Sequence, residues 1–289
     1  MTNNPDDEQR MQVNRRMWEE LVPVNAQSGL YNLEGFKRGE NKLNPLELSE
    51  VGAVRGRSLL HLQCHFGMDT LSWARLGAEV TGIDYSEEGI KLARSLSSEL
   101  DIPARFINCN LYDLPAHLEG LFDIVYTSYG VLCWLNDIPR WAKIAASYVK
   151  PGGFFYIAEF HPFALVFDDE ADSLRYRYPY FEKQALEFDV KGSYADREAE
   201  ITAERDFEWQ HTMGEIISAL IDAGLRIEFL HEHAFSVYEQ LPCLKPDGHG
   251  YWRFPNGEEP IPLMFSIKAW KPACTPDINN EGFMFISPR

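Results

Sequence analysis

Positive charge is scarce in this chain. Its 289 residues carry 27 Lys and Arg against 44 Asp and Glu, a formal charge of −17. A protein this acidic has no general attraction for phosphate backbones or anionic bilayers, so neither nucleic acid nor a membrane surface is expected as a partner. Cysteine is also sparse. Cys64, Cys109, Cys133, Cys243 and Cys274 are odd in number and widely spread, which fits neither a disulfide framework nor a zinc site. A reducing, cytoplasmic setting is the expectation that follows. Long apolar runs are missing too. No stretch of about 18 apolar residues exists to cross a bilayer, and Met1 to Arg16 is polar, without the apolar core of a secretion signal.

What is present is a regular alternation of strand and helix. Strands are expected near 58–63, 79–84, 104–108, 122–127 and 154–159, with helices over about 69–76, 86–98 and 138–149. Asp69 is placed as a helix cap, Gly77 as a helix end, and Ser86 as the cap of the next helix. Lys150-Pro151-Gly152-Gly153 stops the last of these helices. Later, Thr212-Met213-Gly214-Glu215 reads as a capping box, and Arg226–Glu232 and Leu263–Trp270 as two further strands. Residues 1–10 read as a frayed tail and Met11 to Leu21 as a short amphipathic helix within an N-terminal helical cap, 1–50. The main domain is then 51–271, with insertions at 161–206 and 236–262 and a C-terminal tail at 272–289. The alternation implies an α/β fold, a mostly parallel sheet with helices on both faces.

The first loop carries the chemistry. Leu59-Leu60-His61-Leu62-Gln63-Cys64-His65-Phe66-Gly67-Met68-Asp69-Thr70 runs from strand through turn into helix, and Asp84 ends the next apolar run seventeen residues after Gly67. That layout is a nucleoside-binding βαβ unit, with the acid set for ribose hydroxyls. A turn acid beside Ser86 is the plainer reading of Asp84. Glycine is short here as well: Gln63 and His65 stand where a dinucleotide loop needs bare backbone, which argues against NAD(P).

Residues 58–160 resemble the core of class I S-adenosylmethionine-dependent methyltransferases, which implies a Rossmann-like, seven-stranded, mostly parallel sheet with the last strand antiparallel. Leu-His-Leu-Gln-Cys-His-Phe-Gly resembles in particular the first motif of one bacterial group of them. His61 stands where the general pattern has an acid, and Gln63 and His65 replace its first two glycines. The resemblance implies Asp84 on the ribose and Asn110 with Leu111 at the adenine, in Asn110-Leu111-Tyr112-Asp113-Leu114-Pro115. It implies Thr127, Ser128 and Tyr129, at the exit of the fourth strand, facing the sulfonium end. The full cofactor set expected is His61, Gln63, Cys64, His65, Gly67, Asp84, Tyr85, Asn110, Leu111, Ser128 and Tyr31.

Methyl transfer needs alignment more than a universal catalytic group. His161, leaving the fifth strand, is a candidate general base, and Tyr129 a candidate wall of the reacting site. His161 reads equally well as a structural loop histidine. His211 is expected to be structural or a lid contact. The pair His231 and His233 lacks a third ligand at useful spacing, so no metal is expected. Tyr176, Tyr178, Tyr180, Phe181, Phe188 and Tyr194 form either a substrate cover or a packing surface, including that of a homodimer. The function expected is methylation of a small-molecule acceptor at oxygen or nitrogen. The alternative is a cofactor-binding regulatory protein of the same fold without turnover.

Overall fold

A computed structural model describes residues 5–257 and 260–273. Cys274 and the rest of the expected tail, through 289, lie outside the described residues.

The main sheet contains β1 (Ser58–Leu62), β2 (Glu79–Asp84), β3 (Arg105–Asn108), β4 (Phe122–Ser128), β5 (Val149–Phe160), β8 (Arg226–His233) and β11 (Met264–Trp270). Two short ribbons supply β6 (Leu186–Asp189) with β7 (Arg205–Glu208), and β9 (Lys245–Pro246) with β10 (Trp252–Arg253). The helices are α1 (Pro5–Gln27), α2 (Leu33–Lys37), α3 (Pro45–Val51), α4 (Met68–Arg75), α5 (Glu87–Glu99), α6 (Ile138–Tyr148) and α7 (Met213–Asp222). Strand order is β3-β2-β1-β4-β5-β11-β8. The first five strands pair in parallel, and β11 runs antiparallel to both β5 and β8. The expected fold class is what is found.

Both sheet faces are buried, and strand alternation sorts the side chains between them. Leu60, Leu62, Val125 and Phe155 pack with Trp141 of α6 and Leu220 of α7. Leu59, Ile124, Tyr126 and Phe154 pack on the other face with Trp73 of α4 and Val51 of α3. Trp73 and Trp141 are both fully buried, one on each side. Each aliphatic side chain so buried contributes roughly 1.5–3 kcal/mol before entropy is charged against it.

Three boundaries differ from expectation. The frayed tail and short helix are one 23-residue helix, begun by Pro5 with Asp6, Asp7 and Glu8 in its first turn, where acids suit the helix dipole. That helix continues past the expected end at Leu21 and through Pro23. Asp69 is not a cap: Gly67 is the N-cap of α4, and Asp69 sits inside its first turn. β7 runs to Glu208, two residues past the expected end of the first insertion. Its two four-residue strands are too short to print a period on the sequence.

α1 is tied to the sheet domain at two places. Glu19 accepts from the Glu87 and Glu88 backbone N–H groups at 2.8 Å each and from the Ser86 hydroxyl at 2.7 Å, capping α5 from outside. Asn14, 4% exposed, donates to the Phe207 carbonyl at 2.6 Å and accepts from its N–H at 2.8 Å. One side chain thus completes the hydrogen bonding of a strand residue in β7.

Candidate active site

A cavity of about 1420 Å³ lies over the carboxyl ends of β1, β2 and β4, where strand order reverses. Open parallel sheets bind ligands at that place. α1 roofs it with Asn14, Trp18 and Leu21, and the insertion closes a side with Tyr178, Phe188, Tyr194, Asp206 and Glu208.

The first loop reproduces glycine geometry without the glycines. Gln63, His65 and Gly67 have φ of 54°, 52° and 79°, so every second residue is left-handed. For the two non-glycines that costs roughly 1–2 kcal/mol each, and both side chains line the cavity. Gln63 Nε2 donates to the Val131 carbonyl at 3.0 Å, while its Oε1 is buried without a partner. The His65 ring sits between Trp18 and Tyr31, each 5.4 Å away, and its Nε2 is buried and unpartnered. Burial holds its pKa down near 3, so the ring is neutral. Gly67 also lines the cavity, but the reason for glycine lies on its other side. A Cβ there would stand 2.8 Å from the Phe106 ring and 2.9 Å from Ala93.

Asp84 closes β2. Its Oδ2 accepts from His65 N at 2.7 Å and its Oδ1 from Ser86 N at 2.9 Å. Burial pushes its pKa up to about 6 against the pull of those two N–H groups. The turn role is therefore real. Each carboxylate oxygen still has a lone pair left, and Asp84 faces the cavity beside Tyr85. Tyr85 takes a hydrogen bond from Gln12 at 2.6 Å, and Arg15 stacks on its ring.

Asn110, also on the wall, spends its side-chain oxygen on Tyr112 N at 2.9 Å, capping a short 3-10 turn. Leu111, 4% exposed, lies beside it. His61 faces the cavity but is bonded to Thr70 Oγ1 at 2.8 Å and kept neutral by burial, its pKa near 3. Cys64 is buried against Gly82, whose Cβ would stand 2.9 Å from its sulfur. Ser128 and Tyr31 are on the wall, and Tyr31 shares a hydrogen bond with Tyr194.

The two candidate catalytic residues separate. Tyr129 lines the cavity with φ of 45°, its hydroxyl donating to buried Glu47. His161 does not line it. Its Nε2 lies 2.9 Å from Glu232 and its Nδ1 accepts from Phe163 N at 3.1 Å, which makes it a brace between β5 and β8. This corrects the general-base expectation: the chain turns at Pro162 and carries the ring away from the cavity. His211 bonds the Leu135 carbonyl at 2.7 Å. His231 bonds Glu50 and His233 bonds Ser266, so the two imidazoles serve separate partners. Of the aromatic segment, Tyr178, Phe188 and Tyr194 reach the cavity, whereas Tyr176 and Phe181 are exposed.

Two residues that shape the site escaped sequence reading. Asp69 is one: burial raises it to about 7, with Ser128 and Lys42 opposing. Glu159 is another. Its carboxylate accepts from the N–H groups of Gly130, Val131, Leu132 and Phe160 at 2.5–3.1 Å, fixing the loop after β4.

Residues 60–157 match the methyltransferase domain family. The ubiquinone biosynthesis O-methyltransferase of Proteus mirabilis is 31% identical over 132 residues, 44% of this chain and 54% of that protein. The chain thus spans about half the length of such relatives. An S-adenosylmethionine dependent methyltransferase structure from Mesorhizobium loti superposes with a TM-score of 0.55 at 18% identity, covering 81% of this chain and 99% of that one. A SAM-dependent methyltransferase structure from Methanosarcina mazei gives 0.53 at 21% identity, covering 80% and 99%. The fold is shared with these structures. The family match ends at residue 157, before the residues that wall the far side of the cavity. Among the described residues no helix is long and apolar enough to cross a membrane.

Proposed function

We propose that this protein transfers a methyl group from S-adenosylmethionine to a small-molecule acceptor held in the same cavity. The observation that carries the reading is Asp84. It stands at the end of β2 on the cavity wall, rigidly held by two backbone N–H groups, with a lone pair free on each oxygen. A ribose diol is the ligand that fits two parallel acceptors. The neighbouring residues suit the rest of that molecule. Buried, unpartnered Gln63 Oε1 and His65 Nε2 await polar partners, and Leu111 offers an apolar wall for a base beside Asn110. Asp69 supplies a carboxylate for the cofactor's ammonium group, in place of the acid that His61 displaces.

When bound, S-adenosylmethionine supplies a methyl carbon already activated by positive sulfur. The chain then has to orient and exclude water. Trp18 and α1 cover the cavity, Glu159 holds the β4 loop still, and Tyr129 forms the wall at the exit of β4. The volume supports two ligands, since pockets for one drug-sized molecule run roughly 300–1,000 Å³. The names of the Proteus mirabilis relative and of the superposed structures support methyl transfer as the reaction class.

A thermal-shift series with S-adenosylmethionine, S-adenosylhomocysteine, NAD and NADP tests this. Ligand at about 100 times its Kd adds roughly 2.7 kcal/mol, a rise of several degrees. Shifts with the two sulfur nucleosides alone support the reading. No shift with either one sinks it.

A further inference from the structure

The cavity has a second end with a chemistry of its own. β7 crosses it with Asp206 and Glu208 two residues apart, hence on one face of the strand. Between them Phe207 turns the other way, held by Asn14 and covered by the Arg10 guanidinium. Trp209 N donates to the Cys133 carbonyl at 2.8 Å, which ties the end of β7 to the loop after β4. The two carboxylates are thus fixed from both sides.

They have no cation. Asp206 Oδ1 is buried with no hydrogen-bond partner. Around Glu208 the charged neighbours that act on it are Asp206 and Asp169, both acids. Arg177 on the same wall is spent on Asp168 at 2.8 Å, and Arg15 on Glu19 at 3.4 Å. Lys191 and Arg197 are exposed at the rim. Among the described residues no lysine or arginine pairs with Asp206 or Glu208.

Two further observations point to a ligand. Gln240, 7% exposed and on the cavity wall, has neither its amide oxygen nor its amide nitrogen bonded to anything. An amide buried that completely without a partner costs roughly 1–3 kcal/mol unless something fills the space in front of it. A run of aromatic rings also crosses the wall. Trp134 meets Trp18 at 5.4 Å, Trp18 meets Tyr194 at 6.2 Å, and Tyr194 meets Tyr238 at 6.5 Å. Tyr238 of that run lies close enough to Glu208 to feel its charge, and aromatic faces beside uncompensated carboxylates suit an organic cation.

We infer that the acceptor is an organic amine, bound as its ammonium form by Asp206 and Glu208 against the aromatic wall, with Gln240 bonding a polar group on the same molecule. This rests on the methyl-transfer reading above and narrows it to nitrogen. The ammonium first gives a proton to the carboxylate that holds it. The freed lone pair then forms the new C–N bond as the C–S bond breaks, and that electron pair leaves on sulfur as a neutral thioether. In the unliganded chain burial raises Glu208 to about 8 and Asp206 to about 7; the charge of a bound ammonium lowers both, so the carboxylate that holds it is ionised and free to take its proton.

The test is isothermal titration of the full chain with phenethylamine, 2-phenylethanol and phenylacetate, with and without saturating S-adenosylhomocysteine. Phenethylamine should bind at least tenfold tighter than the alcohol and the acid. The Asp206→Asn/Glu208→Gln variant should erase that preference and leave S-adenosylhomocysteine affinity as it was. Asp206→Asn alone, expected to narrow the preference, serves if the double variant does not fold. Equal binding of amine and alcohol, no amine binding, or a preference that survives in the variant overturns the inference. Failure of S-adenosylhomocysteine to bind is read separately and strikes the methyl-transfer reading, while the amine preference is still measured on the unliganded chain.

Discussion

Asp84 and Asp206 are both carboxylates on the wall of one cavity, yet the first holds two backbone N–H groups and the second leaves a buried oxygen without a partner. Burial raises both. At Asp84 the N–H groups restrain it to about 6; at Asp206 nothing opposes burial and it reaches about 7. The difference separates two kinds of site-building. At the β1–β2 end, polar side chains first serve the protein: Asp84, Asn110 and His61 each shape a loop before any ligand arrives. At the β7 end, Asp206, Glu208 and Gln240 shape nothing, so their cost is recovered only by what they bind.

If the β1–β2 end is architecture first, its backbone is the place to break it. Gly67→Ala should be the most damaging change, about 2–4 kcal/mol in urea unfolding, from left-handed strain plus the clash with Phe106 and Ala93. A loss under about 1 kcal/mol would mean that the α4 start is not closely packed. Asp84→Ala, in protein still folded by circular dichroism, should weaken S-adenosylhomocysteine at least tenfold, about 1.4 kcal/mol, by titration calorimetry. Unchanged affinity would leave Asp84 as a turn acid alone. Asn14→Ala removes two hydrogen bonds from β7 and should cost about 1–3 kcal/mol. Faster limited proteolysis within 161–208, with weaker amine binding, would show that α1 positions the far carboxylates.

The two ends also differ in their response to pH. Glu47 and Glu208 sit at about 8, Asp69 and Asp206 at about 7, all raised chiefly by burial. The unfolded chain releases these protons near pH 4. Between those values the folded state binds more protons, so stability falls as pH climbs through about 7 to 8. His61 and His65, depressed to about 3, act in the opposite direction, but below about 6.5. The melting point of the unliganded protein should therefore drop between pH 6.5 and 8.5, and Asp206→Asn/Glu208→Gln should flatten the drop. A slope unaltered by that variant would assign it to Glu47 and Asp69 instead. His161→Ala should do least to the cavity, changing S-adenosylhomocysteine and amine affinities by less than about threefold while lowering the urea midpoint. A larger effect would return it to the site.

Legibility in the sequence follows the same division. The order of strands and helices, Ser86 as a cap, and the pairing of the 59–70 loop with Asp84 could be read locally, because each depends on neighbours in the chain. The left-handed loop could not: Gln63 and His65 hide a glycine conformation that packing from Trp18, Tyr31 and Val131 sustains. Nor could Asp206 and Glu208, four-residue-strand acids that look like any solvated pair. α1 and the β4 loop enclose them, and those lie about two hundred and about eighty residues away in the chain.

The sequence alone determined the alternation of strands and helices and the carboxylate that ends β2, since hydrophobic period and capping chemistry are properties of short segments. Tertiary structure alone decided which polar groups were left without partners. Whether a carboxylate meets water, an N–H or nothing depends on what distant chain folds over it, and that is what separates the two ends of the cavity.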